Sequence, residues 1–294
     1  MEQNSRGKGI LLALLGASMW GASGASGQFI LQNCQFDTGW LVDTRMLLAG
    51  MILLIIDAAG HHGDIFSIWK DKTRAKDLIL FGVVGLLAVQ YTYFASIRAG
   101  NAAAATVLQY LMPVVLIAWS VLIRHERLRP VEILCVILAV GGTFLLVTHG
   151  SLTSLVIPLP AVLWGLGSAF AAAYYTVKPR NLIREWRAPL VVGWGMFIGG
   201  VAFLPFAPPW AFSGIWNLQA GLAYAFIIFF GTVVAFGCYL GSLAYLKPSE
   251  TGILGSAEPL TAIILSVAFL GVSFGIIDAV GVAMILGTVF LLSR

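Results

Sequence analysis

LQYLMPVVLIAWS (residues 108–120) and LGSAEPLTAIILS (residues 254–266) are one pattern met twice, 146 positions apart. Leu108, Pro113 and Ser120 return as Leu254, Pro259 and Ser266. The register extends in both directions. Tyr93 and Ser96 return as Tyr239 and Ser242, Gly141 as Gly287, and Phe144-Leu145-Leu146 as Phe290-Leu291-Leu292. Nearer the start of each half, Trp20-Gly21 returns as Trp164-Gly165 at a shift of 144. Apolar segments share residues by chance, but a proline and a Trp-Gly pair in nearly one frame mark an internal repeat.

Composition says what is repeated. The chain has 294 residues, 59% of them hydrophobic and 10% charged, against about 25% charged in a soluble domain. Too little charge is present to wet a globular surface, so lipid is the solvent for most of it. A spanning helix takes about 20 mostly apolar residues. Runs that meet this cover 9–31, 39–57, 78–98, 102–122, 131–148, 156–177, 189–206, 220–243, 251–270 and 275–292. They are uniformly apolar rather than alternating, which selects helices over a transmembrane barrel. The first run is too long for the apolar core of a cleavable signal. The expected fold is therefore all-α and integral to the membrane, with ten helices in two five-helix repeats, 9–148 and 156–292. Five crossings are an odd number, so the second repeat enters the membrane inverted.

Basic residues set the orientation. Arg6 and Lys8 precede span 1. Lys70, Lys72, Arg74 and Lys76 lie between spans 2 and 3, and Arg124, Arg127 and Arg129 follow span 4. Lys178, Arg180, Arg184 and Arg187 follow span 6, Lys247 lies between spans 8 and 9, and Arg294 ends the chain. With ten spans all of these fall on one face, and only Arg98 falls on the other. Both termini are expected in the cytoplasm of a cell with an inner membrane. No basic stripe interleaved with aromatics is present, which excludes nucleic acid as a partner. Cys34, Cys135 and Cys238 have neither metal-ligand nor redox spacing, and no cofactor or metal is expected. His61, His62, His125 and His149 lie in connections or at helix ends, and no span holds two acids at catalytic spacing. An intramembrane enzyme is not expected.

Four motifs carry a resemblance to a known family: Trp20-Gly21, Arg45 in Arg45-Met46-Leu47-Leu48-Ala49-Gly50, Pro113 in span 4, and Ala257-Glu258-Pro259 in span 9. Over its whole length the chain resembles the drug/metabolite transporter superfamily, in its ten-helix EamA-type branch. The resemblance implies a central cavity lined mainly by spans 1, 3, 4, 6, 8 and 9. It also implies export of small metabolites, amino acids foremost.

Glu258 is the most informative residue. A carboxylate inside a span is costly unless protonated, paired or hydrated, and such acids usually face a cavity on a proton or cation path. Its repeat partner is Met112, so the shared scaffold does not demand the acid. Pro259 beside it frees a backbone carbonyl one turn earlier, near Leu254-Gly255. Glu258 is the expected coupling group, with structural pairing to a neighbouring helix as the alternative. Arg45, in the outer third of span 2, is a candidate contact for a substrate carboxylate or an anchor that reaches the interface. Asp43 is two residues away and does not face it.

Trp20 with Ser23 in span 1, and Trp164 with Ser168 and Tyr175 in span 6, form two faces of tryptophan and small residues. They are expected either to wall one cavity or to pack helices. Gln90 and Tyr93 in span 3, Gln109 in span 4 and Tyr239 in span 8 complete the candidate substrate contacts. The expected activity is secondary transport of amino acids or related zwitterions across the cell membrane, with protons as a candidate partner. One alternative is carriage of organic cations in an aromatic cage of Trp20, Trp164 and Tyr239, and another is a receptor or structural subunit that transports nothing.

Overall fold

The computed structural model describes residues 2–61, 65–125, 129–151 and 154–293, which leaves His62, Arg127 and Arg294 outside the described residues. Ten helical spans follow one another: span 1 (Arg6–Asn33), span 2 (Thr38–Gly60), span 3 (Lys72–Ala99), span 4 (Ala102–Ile123), span 5 (Pro130–Thr148), span 6 (Leu159–Val177), span 7 (Ala188–Phe203), span 8 (Leu218–Ser242), span 9 (Glu250–Leu270) and span 10 (Ile276–Leu292). Seven of them are long and apolar enough by themselves to cross a membrane. Span 7, of 16 residues, is about 24 Å long at the helical rise and depends on its neighbours to reach both interfaces. Span 3 starts earlier than its apolar run. Asp71 caps it, accepting from the backbone N–H groups of Thr73 and Arg74, so the polar stretch from Lys72 joins the helix.

Five spans are less regular than uniform apolar runs suggest, and span 1 ends in a π-helical stretch, Phe29–Asn33. Spans 4 and 9 are each broken once, between Gln109 and Met112 and between Gly255 and Ala257. Spans 3 and 8 each contain a π-helical stretch, Phe81–Leu87 and Phe229–Val234. The irregularities of spans 3, 4, 8 and 9 fall at matching places in the two repeats, which makes them features of the repeated unit, whereas the one in span 1 has no counterpart in span 6.

The halves interleave. Span 2 packs along span 7 and span 5 along span 10, each against its repeat partner. Span 6 packs on spans 3 and 4, and its partner span 1 packs on spans 8 and 9. Two three-helix groups result, 3·4·6 and 1·8·9, related by the inversion and each drawn from both halves. Close approach makes these groups. At Gly21 any Cβ would overlap the Glu258 carbonyl oxygen, so glycine alone lets span 1 lie flat on span 9.

The two faces are held differently. On the face that carries the chain termini, Arg187, just before span 7, grips Asp57 of span 2 with two bonds of 2.8 and 2.7 Å. Lys178 pairs with Asp77 at 2.7 Å, and Arg74 pairs with Glu185. On the opposite face Phe36, Trp40, Phe212, Trp216 and Tyr224 form an aromatic knot, with the Trp40 indole donating to the Pro209 carbonyl at 2.7 Å. Amphipathic rings of this kind suit a membrane interface.

Candidate functional site

The breaks in spans 4 and 9 follow from their prolines. Proline has no N–H, so the carbonyl four residues earlier loses its helical donor. For Pro113 that carbonyl belongs to Gln109, and for Pro259 it belongs to Gly255, the last residue of each half-helix. The Gly255 carbonyl is supplied from outside its own span: the Tyr110 hydroxyl donates to it at 2.7 Å. The same hydroxyl lies 3.2 Å from Glu258 Oε2. Ser256, at Tyr110's place in the second repeat, has a buried hydroxyl with no partner among the described residues. The two hinges are therefore tied by one residue, from one side.

Glu258 sits eight residues into span 9, roughly 12 Å along it. As a residue it is half-buried, beside the break of span 9. Arg45 of span 2, Tyr93 of span 3, Tyr110 of span 4, Tyr175 of span 6 and Tyr239 of span 8 all lie within electrostatic reach of it. Five spans thus converge on one acid. Two cavities lie elsewhere, one of about 170 Å³ beside His149 and Asp278 and one of about 440 Å³ between spans 1, 8 and 9.

Arg45 is buried and already engaged. Its Nε donates to Thr232 Oγ1 at 2.9 Å, one Nη to Gln90 Oε1 at 3.0 Å and the other to the Gly231 carbonyl at 3.2 Å. The guanidinium lies over the Phe94 ring, 5.2 Å from its centroid. Of five N–H groups, three serve the protein. Their acceptors include the π-helical stretch of span 8, where the regular ladder is disturbed. Asp43 takes no part: it is fully buried, and neither carboxylate oxygen has a hydrogen-bond partner among the described residues.

The remaining sequence candidates fall into two sets. Trp20 packs on Phe236 and Tyr239 of span 8, with ring centroids 5.1 and 4.8 Å apart. Tyr239 lies against the span-9 break, its hydroxyl 3.4 Å from the Thr251 carbonyl. Ser23 is buried against Gly231. In the other group Tyr93 bonds Thr106 at 2.8 Å, and Gln109 donates to Ser168 at 2.7 Å. Tyr175 stacks on Phe81. Trp164 packs edge-on against Tyr91 of span 3 at 5.7 Å and stays 40% exposed. The structure gives the two tryptophans equivalent but separate places: Trp20 sits on span 8 and Trp164 on span 3, the partners of one another under the inversion.

Apart from the Tyr110 tie at the breaks, polar ties between the two groups are one-sided. Gln28 of span 1 accepts from the Ala102 N–H at 2.9 Å, and Gln32 donates to the Ile97 and Gly100 carbonyls at 2.9 and 2.8 Å. Arg45 bridges Gln90 of one group and Thr232 of the other. All of these lie toward the face opposite the termini. The inverted counterpart, span 6 against spans 8 and 9 toward the terminal face, carries no hydrogen bond among the described residues. There Gly237 and Gly252 border open space. Residues matching Gln28 and Gln32 in the second repeat are Ala172 and Thr176, and Thr176 bonds only its own group, at Ala172 and Met112. Polar ties of this kind therefore join the groups toward one face and, among the described residues, not toward the other.

Sequence reading passed over Tyr110, Gln28, Gln32 and Thr232. Gln28 and Gln32, two polar side chains one turn apart near the end of an apolar span, were a signal that was present.

Comparison with known proteins agrees with this architecture. The EamA-like transporter family matches residues 7–148 and again residues 159–294. The uncharacterized inner membrane transporter YicL of Salmonella typhimurium is 41% identical over 290 residues, covering 97% of this chain and 95% of that one. The threonine/homoserine exporter RhtA of Escherichia coli is 26% identical, over 89% of this chain and 82% of its own. A solved crystal structure of 19% identity superposes with a TM-score of 0.58 over 99% of this chain and 96% of the other, a likeness of fold.

Proposed function

We propose that this chain, which belongs to the EamA-like transporter family and is a multi-pass inner-membrane transporter rather than an enzyme, exports neutral amino acids or related zwitterions through the cleft around Glu258. The observation that carries the reading is the placement of one half-buried acid where five spans converge, with Arg45 within electrostatic reach. A zwitterion needs an acid for its ammonium group and a donor for its carboxylate. Glu258 supplies the first, and the two N–H groups that Arg45 does not spend on the protein supply the second. Gln90, Gln109, Ser168 and the hydroxyls of Tyr93, Tyr175 and Tyr239 border the passage, with Trp20 and Trp164 on its two flanking groups and Ser23 behind it. The relative named as a threonine/homoserine exporter supports the same substrate class.

Glu258 also serves as the coupling group, taking a proton when no ammonium group occupies it. The repeats are assigned as 9–148 and 156–292, with the terminal face in the cytoplasm, because its basic residues far outnumber those of the other face. The side of the cleft without the glutamine ties then faces the cytoplasm, as loading for export requires.

One observation favours a second reading. Four tyrosines lie around the acid, and Trp20 packs at a tilt on one of them, Tyr239, a setting that suits organic cations. Counterflow of threonine, homoserine and tetramethylammonium into proteoliposomes separates the two. Exchange of the amino acids supports the first reading, exchange of tetramethylammonium alone supports the second, and exchange of none contradicts both.

A further inference from the structure

The Tyr110 phenol has one hydrogen and two oxygens in reach, the Gly255 carbonyl at 2.7 Å and Glu258 Oε2 at 3.2 Å. A carbonyl only accepts, so the shorter contact takes the phenol's hydrogen. The longer contact is then satisfied in one protonation state alone: a neutral Glu258 donates its own hydrogen to the phenol oxygen. An ionised Glu258 has nothing to donate and competes with Gly255 for the phenol's single hydrogen. That competition favours the carboxylate, because bonds to an ionised acceptor are the stronger ones.

We infer that Tyr110 is the positioning residue through which the protonation state of Glu258 reaches the hinge of span 9. This rests on the reading of Glu258 as a group that exchanges protons. With Glu258 protonated, a chain of donors runs from the carboxyl through the phenol to the Gly255 carbonyl, and spans 4 and 9 are tied at their breaks. When the carboxyl gives its proton to water in the cleft, the phenol keeps its own hydrogen and turns it to Oε2. Gly255 is buried and Pro259 has no N–H to offer, so its carbonyl is left without a donor. Relief comes from movement at the break, where the helix is already interrupted. Charge at Glu258 is thereby converted into a loosened tie between the two helix groups.

The device exists in one repeat alone. Ser256 stands at Tyr110's place in the second half and Met112 at the place of Glu258, and neither can reproduce the chain. The other charged or titratable groups that face Glu258 are Arg45 from span 2, Tyr93 from span 3, Tyr175 from span 6 and Tyr239 from span 8. Arginine and tyrosine in their ordinary states do not exchange protons near neutrality. Span 1 presents Gly21 there and no titratable side chain.

The test pairs two readouts on the full-length protein in lipid. Spin labels on Leu122 of span 4 and on Leu243 just past span 8, both exposed, report the width of the cleft in acid and alkaline buffer. Infrared difference spectra against Glu258→Gln report the protonation of Glu258 itself. The unsubstituted protein is expected to show a pH-dependent shift in label distance that tracks the Glu258 band. Glu258→Gln, whose amide always has a hydrogen to donate, is expected to stay at the acid distance. Tyr110→Phe is expected to keep the infrared titration and lose the distance shift. A Tyr110→Phe variant whose distance still follows pH as the parent does overturns the inference. So does a parent protein in which Glu258 titrates without any shift. If the Glu258 band does not titrate at all, the reading of Glu258 beneath the inference has failed instead, and the inference falls with it.

Discussion

The hydroxyl oxygen of Tyr110 lies 2.7 Å from the carbonyl oxygen of Gly255, and this contact joins the break of span 4 to the break of its repeat partner, span 9. Each break is the work of a proline at the same place in the repeat, yet only one of the two freed carbonyls receives this bond. An inverted repeat is thus symmetric in backbone and asymmetric in chemistry. That difference gives the two gates unequal strength, so one face is favoured when nothing is bound.

The seal between spans 1, 3 and 4 rests on Gln28 and Gln32. Their replacement by alanine, together, removes the ties of span 1 to spans 3 and 4 toward the non-terminal face, along with the Ser266 bond to Gln28, and leaves the Arg45 bridge in place. A membrane-impermeant thiol reagent applied to that face is expected to label a cysteine at Thr106, fully buried behind the seal, at least several-fold faster in the double variant than with both glutamines present. Equal rates would show that the glutamines do not hold the gate.

Gly21 allows span 1 to lie on the backbone of span 9 beside Glu258. Gly21→Ala forces its added methyl into the Glu258 carbonyl, and overpacking of this kind typically costs about 1–3 kcal/mol. Thermal unfolding in detergent is expected at a lower temperature than for the parent protein, and an unchanged midpoint would contradict the close approach.

Asp43 is buried with both carboxylate oxygens unpartnered. Removing an unsatisfied buried acid in favour of an apolar side chain of similar volume is neutral or stabilising, so Asp43→Leu is expected to raise the unfolding temperature. A fall of several degrees would mean that the carboxylate has a stabilising partner.

Much of this architecture was legible in the sequence. The ten spans and their inversion follow from apolar length and from the shared register of Pro113 and Pro259. Glu258 stood out because an acid inside an apolar run has few structural excuses. Tyr110 was not legible, because a continuous helix puts Gln109 and Pro113 on one face and turns Tyr110 away from it. The break re-aims Tyr110 toward span 9. The π-helical stretches were hidden because uniformly apolar runs carry no phase from which a change of pitch can be read. Trp20 and Trp164 are equivalent, as their repeat positions require, but equivalence under inversion placed them on opposite groups rather than side by side.

Orientation has its own test. The connection from Trp210 to Asn217 is expected outside the cell, so Ser213→Cys on a cysteine-free background should react with impermeant maleimide in intact cells. Reaction only after the membrane is opened would reverse the assignment of faces.

The central claim, that Glu258 couples protons to the movement of an amino-acid substrate, is tested most directly by Glu258→Gln in proteoliposomes assayed two ways with threonine. One assay measures accumulation driven by a pH gradient, and the other measures exchange of labelled for unlabelled threonine without a gradient. The amide keeps the size and hydrogen bonding of the acid and removes its titration. The account predicts that gradient-driven accumulation is lost while exchange persists. Accumulation equal to that of the unsubstituted protein would contradict it and leave Glu258 a structural acid.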